Sequence, residues 1–221
     1  MSSPEVGAAA ATGAALIVPI GSTEQHGAHL PLTVDTTIAQ FCAQTLTRAR
    51  PAQTVLAPTL PYGASGEHAA FPGTLSIGQA ALEIVVVELG RSATDTFSKV
   101  FIICGHGGNF ETLRRALRTL RDESRNVGLW MCNSGGDAHA GHSETSIMRQ
   151  IQPNHVQMSR AQLGNIRPVA ELMPAMIAGG LSAVSANGVL GDPTGATAQV
   201  GAQLLAKMTT RMISAFDDWY A

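Results

Sequence analysis

A chain of 221 residues with 45% apolar side chains can bury one ample core, and it fits one large domain better than two small ones. Only 14% of residues are charged and the net charge is −2. That balance argues against nucleic acid as a partner and points to a surface partly covered by subunits. Cys42, Cys104 and Cys132 are odd in number, lie far apart and form no C-x-x-C pair, so reduced cytosolic thiols are expected rather than disulfides or a thiolate zinc site.

Met1 to Gly13 has no basic region before its Ala-rich run and is too short and Gly/Pro-rich for a signal peptide or a membrane span. It reads as a loose tail ahead of one domain over residues 14–221. Ala15 to Ile20 is an apolar run ending in turn signals, which suits a buried parallel strand. A polar loop follows, and then Val34, Ile38, Phe41 and Leu46 repeat at helical spacing up to Pro51. Thr54 to Ala57 is a second strand, and Pro58 to Gly78 a long loop of the kind that is usually functional. Gln79 to Phe97 has a helical pattern, Val100 to Cys104 that of a strand, and Phe110 to Ser124 that of a helix. Val127 to Cys132 makes a fourth strand. His139 and Glu144 open a further helix, Gln152 to Ala186 reads as irregular, and a terminal helix runs from about Ala198 to Phe216. Strand and helix alternate, so the fold class is α/β with a mainly parallel sheet. The polar clusters fall where strands end, the side on which open α/β sheets bind ligands.

The chemistry starts from Gly21 to Asp35. Glu24 and His26 stand two apart and share a side of an extended segment, and Asp35 heads the next helix. Asp35 alone could be a first-turn acid favoured by the helix dipole, and a lone E-x-H is common. A His set at a strand end by glycines, as His106 is in Gly105-His106-Gly107-Gly108-Asn109, is better explained as a ligand or catalytic group. That run lacks the spacing of a phosphate-binding loop. Glu24, His26, Asp35, His106 and Glu144 together supply two imidazoles and three carboxylates. The carboxylates cannot gather ionised without positive charge. Two divalent ions sharing one carboxylate would compensate them and activate a water for attack on a carbonyl, with His139 as acid or base. Such donors suit Zn, Fe or Mn.

Four stretches carry a resemblance: G-S-T-E-Q-H-G-x-H-L-P-L-x-x-D, G-H-G-G-N, H-A-G-x-x-E-T-S and G-x-x-G-D-P, spread in order from Gly21 to Pro193. They resemble the creatininase (creatinine amidohydrolase) family. The resemblance implies a three-layer α/β fold, a binuclear metal centre, hydrolysis of a C–N amide bond and close-packed homo-oligomers, often hexamers. Carried over by position, it implies that Glu24 and His106 hold one metal, His26 the other, and that Asp35 bridges them. It also implies that His139 handles proton transfer. Creatininase has a Glu two residues after the second-motif His, where this chain has Gly108, so Glu144 of the third motif is taken as the fifth ligand.

With only Trp130 and Trp219, the chain lacks the tryptophans that line the creatinine pocket. S-G-E-H after Tyr62-Gly63-Ala64, G-G-D-x-H-A-G-H-x-E-T-S and A-V-S-x-x-G-V-L-G-D-P-T look most like the family's mycofactocin-precursor peptidase subgroup. That subgroup implies release of a C-terminal Val-Tyr dipeptide from a modified precursor peptide. The alternatives are a small-molecule amidohydrolase acting on a cyclic amide or formamide, or a metal-binding scaffold without catalysis. For a peptide substrate, the loop holding Glu67 and His68 is expected to cover the site. Arg160 and Arg167 are the candidate partners of the terminal carboxylate.

Overall fold

Four apolar runs become four short parallel strands, each shielded by helices as their composition requires. The computed structural model describes residues 1–221. The strands are β1 (Ala15–Ile20), β2 (Thr54–Leu56), β3 (Val100–Cys104) and β4 (Val127–Met131). Their order is β2-β1-β3-β4, with Leu16 opposite Val100 and Val100 opposite Val127. Side chains alternate between the two faces of the sheet. Ile17, Phe101 and Ile103 join a core with α2 (Val34–Ala49), α5 (His142–Ile151) and α7 (Ala198–Tyr220). Val100, Ile102 and Cys104 join a second core with α3 (Gly78–Thr94) and α4 (Phe110–Asp122). The result is a three-layer α/β/α architecture.

The helices follow their patterns. In α4, Leu113, Ala116, Leu117 and Leu120 are buried at i, i+3, i+4 and i+7, while Arg114, Arg118 and Arg121 lie off that stripe. Burying each leucine of this row is worth about 1.5–3 kcal/mol. At the end of α7, Phe216 meets Phe101 edge to face and Trp219 lies tilted against it, at centroid distances of 5.4 and 5.0 Å, fastening the last helix to the middle of the sheet.

Three expectations are corrected. The segment read as a loose tail contains α1 (Ser3–Ala11), started by a Ser2–Glu5 capping box, with Val6, Ala9 and Ala10 packed on Ala14, Val55 and Phe97. The stretch read as irregular contains α6 (Val169–Gly179), which holds Pro174 within it. The helix expected to open at His139 begins at His142, because His139 is held extended by a bridge to Leu190. No helix is long and apolar enough to cross a membrane.

Two glycines fix how the site-bearing ends meet. A Cβ on Gly21 would lie 2.4 Å from Thr36 Cα, and one on Gly105 would lie 2.1 Å from the Asp35 carbonyl oxygen. The first turn of α2 therefore rests directly on the ends of β1 and β3. Because the obstructing atoms are backbone, they have little room to yield. Gly105→Ala is expected to cost about 1–3 kcal/mol by overpacking, read as a lower midpoint in urea unfolding; an unchanged midpoint would mean that the contact is slack.

Candidate metal centre

The loop after β1 delivers the first donors. Glu24 N–H donates to Leu32 O at 3.1 Å, folding residues 21–33 back on themselves, and Gly27 takes the left-handed turn at φ 66°. His26 Nδ1–H donates to Glu24 O at 3.2 Å, which leaves Nε2 to face Asp35 Oδ1 at 3.3 Å and Glu144 Oε2 at 3.8 Å. Asp35, in the first turn of α2, accepts the Ser22 hydroxyl on Oδ2 at 2.5 Å. The same oxygen lies 3.1 Å from His106 Nδ1, and Glu24 Oε2 is 3.2 Å from that nitrogen. Asp35 thus turns one oxygen to His26 and the other to His106.

The later loops close the cluster. Glu144, in the first turn of α5, accepts Ala140 N–H at 2.6 Å, and Ala140 sits at φ 53°, an uncommon conformation for a residue with a Cβ. His139 Nε2–H donates to Gln25 O at 2.8 Å, so its Nδ1 lone pair faces Glu24 Oε1 at 3.8 Å. The Gln25 amide nitrogen also lies 3.1 Å from His139 Nε2; with the proton on that ring nitrogen, its own N–H groups are left with His68 Nδ1 at 3.1 Å and Gly188 O at 2.9 Å. His68 Nε2 in turn lies 3.4 Å from Glu24 Oε1. Three sets of donor atoms lie close enough to hold an ion: Glu24, Asp35 and His106; His26, His139 and Glu144; and Glu24, His68 and His139.

Electrostatics fits a divalent cation. Both carboxylate oxygens of Glu24 and Nε2 of His26 are buried without a hydrogen bond, and each such group costs about 1–3 kcal/mol unless something compensates it. Burial and the Asp35 charge push the Glu24 carboxyl up. Burial alone would neutralise Asp35, but His26 and His106 hold it well below the usual range. Burial likewise opposes charge on His26, yet Asp35, Glu144 and Glu24 push it up to about 9. His106 is raised well above its ordinary value against the same penalty, by Glu24 and Asp35. Burial raises Glu144 to about 7 against the pull of His26. His139 goes the other way: burial and the neighbouring His26 and His68 hold it well below its usual value. The donors are oxygen and imidazole only, the set that suits Zn, Fe or Mn.

A cavity of about 370 Å³ opens over the cluster. Its floor is Glu24, Asp35, His106, His139 and Glu144; one wall is Val169, Met173 and Ile177, four residues apart along α6. Glu67 and His68, on the 3₁₀ turn Gly66–His68, also line it. The two arginines do not join it. Arg160 is exposed on the turn Met158–Arg160, and Arg167 is exposed and paired with Glu171 at 3.1 Å. Arg167 does line a neighbouring cavity of about 710 Å³, which shares Ala138, Val169 and Leu190 with the first. Sequence reading missed Gln25, whose only signal was its place between Glu24 and His26. His29 hydrogen-bonds Thr145 Oγ1 at 2.8 Å and stays outside the donor sets.

Comparison with known proteins bears on this geometry. The family model described as Creatininase: Creatinine amidohydrolase matches residues 1–216. A mycofactocin precursor peptide peptidase of Mycobacterium ulcerans (strain Agy99) is 47% identical over 213 residues, covering 92% of this chain and 85% of that protein. One of Mycolicibacterium smegmatis (strain ATCC 700084 / mc(2)155) is 49% identical over 209 residues, with the same coverages. A crystal structure of creatinine amidohydrolase (creatininase) superposes with a TM-score of 0.81 at 24% identity, over 100% of this chain and 96% of that one. A putative creatinine amidohydrolase from Bacteroides fragilis NCTC 9343 gives 0.71 at 25% identity, over 93% and 89%. Solved creatininases include forms described as Zn–Zn and Mn. With a family model spanning nearly its whole length and relatives nearly half identical, the chain belongs to the creatininase family.

Proposed function

We propose that the chain is a metal-dependent peptidase that hydrolyses an amide bond of the modified mycofactocin precursor peptide, releasing a C-terminal Val-Tyr dipeptide. The observation that carries this reading is 44–49% identity, over 92–94% of the chain, to relatives named mycofactocin precursor peptide peptidase. The buried oxygen-and-imidazole cluster beneath an open cavity supports it.

In this reading two divalent ions, Zn, Fe or Mn, bind per subunit. Glu24 and His106 would hold one, His26 and Glu144 would hold the other, and Asp35 would serve both. When bound, they supply Lewis-acid polarisation of the scissile carbonyl and lower the pKa of a water. The residues do the rest. His139, fixed by its Nε2–H bond to Gln25 O, would take a proton at Nδ1 from the attacking water as the water oxygen bonds to the scissile carbonyl carbon, and return it to the departing amine nitrogen as the C–N bond breaks. Gln25 also holds His68 through Nδ1, so both imidazoles share one anchor. The apolar row of α6 supports the substrate's side chains, and Arg167, one cavity further along, is the partner for the peptide's terminal carboxylate. We place the enzyme in the cytosol as a homo-oligomer, a hexamer or similar. The low charge and exposed Leu56, Ile84 and Leu89 support the oligomer.

Metal-loaded protein incubated with processed precursor peptide is expected to release the dipeptide, read by mass spectrometry. Turnover of creatinine or a formamide without dipeptide release would replace the peptidase reading with a small-amide hydrolase. Asp35→Ala is expected to lose both ions by elemental analysis, and two ions at full occupancy would refute the shared ligand. His139→Ala is expected to keep both ions while turnover drops about 100- to 10,000-fold; loss of an ion instead would make His139 a ligand.

A further inference from the structure

His106 has two ring nitrogens and only one of them faces the donor cluster. Nδ1 lies 3.1 Å from Asp35 Oδ2 and 3.2 Å from Glu24 Oε2. Nε2 points the other way, is buried, and makes no well-formed hydrogen bond, but Glu67 Oε1 stands 3.3 Å from it. A nitrogen that binds a cation through its lone pair leaves the proton on the other nitrogen, and that N–H requires an acceptor to fix the ring.

Glu67 is held where it can serve. Its neighbour His68 is buried with Nε2 3.4 Å from Glu24 Oε1. Three residues upstream, Ala64 N–H donates to Asn109 Oδ1 at 2.8 Å, tying this loop to the one that carries His106. On the far side, Gly180 comes so close that a Cβ there would lie 2.9 Å from the Glu67 carbonyl oxygen. The approach itself depends on a missing side chain. A Cβ at Gly108 would lie 2.4 Å from both Glu67 Oε1 and His106 Nε2, so any side chain there would wedge the carboxylate and the ring apart.

We propose that Glu67 is a positioning residue of the metal centre: it accepts the His106 Nε2–H, commits Nδ1 to the cation, and reaches that place because residue 108 is glycine. Glu67 thereby acts on the ion through His106, a different task from the substrate contact expected of it. The proposal rests on the metal-centre reading above.

The test titrates Zn(II) into the full, metal-stripped chain against a chromogenic chelator, with circular dichroism to follow folding. Glu67→Ala is expected to weaken one of the two zinc sites about 10- to 100-fold and leave the other in place. Glu67→Gln is expected to recover most of that affinity, because its amide oxygen accepts the same N–H. Gly108→Ala is expected to reproduce the loss with Glu67 intact, because a Cβ there meets both the carboxylate and the ring. Should Glu67→Ala fail to fold, Glu67→Gln and Gly108→Ala still decide the matter. Unchanged zinc affinity in Glu67→Ala or Gly108→Ala, or no recovery in Glu67→Gln, overturns the role of Glu67. Wild-type protein that binds no zinc would instead overturn the metal-centre reading.

Discussion

A buried carboxylate needs a positive partner, and no lysine or arginine is among this chain's buried residues. Glu24 and Asp35 nevertheless lie out of water, with Glu144 beside them. The only cationic groups within reach are imidazoles, and the carboxylates push two of these, His26 and His106, towards the charged form. Much of the surrounding architecture follows from that demand. Donors must arrive from three separate strand ends, each must be fixed in direction, and the whole must sit under a cavity that a substrate can enter.

A parallel sheet meets the first requirement, since its carboxyl ends all lie on one side. Close approach meets the second. The first turn of α2 sits on Gly21 and Gly105 with no side chain between, which leaves the two oxygens of Asp35 turned to His26 and His106. Backbone acceptors then select ring orientations: Glu24 O holds Nδ1 of His26, and Gln25 O holds Nε2 of His139. Neighbouring residues in one loop therefore set opposite tautomers in two rings whose centroids are 4.3 Å apart.

The four strands were legible because each is a short apolar run bounded by turn residues, and α2 and α4 because their buried faces repeat at helical spacing. Helices α1 and α6 were not. The Ala/Gly-rich composition of α1 carries little amphipathic pattern, and α6 has Pro174 in its interior and glycines at its end. At the site, residues whose chemistry is evident from type, such as Glu24, His26, Asp35, His106 and His139, could be named from motif spacing. Gln25 could not, because an amide acquires its role only from the two groups its N–H bonds reach. Gly108 read as a lost carboxylate position, and the structure sets the Glu67 carboxylate on that spot from a loop some forty residues earlier. Proximity of that kind is tertiary, and spacing along the chain does not encode it.

The apolar row Val169, Met173 and Ile177 stands on α6, a helix outside both packed layers and joined to the rest through a small cluster of its own around Leu172, Leu181 and Leu190. The donors, by contrast, are locked into strand ends and helix first turns. Chemistry and substrate shape thus sit on parts of the chain with different tolerance to change. Substitutions along one face of α6 can remodel the cavity wall while the donor geometry stays fixed, so a lineage carrying this scaffold can shift the molecules it accepts without first rebuilding the means of cleaving them.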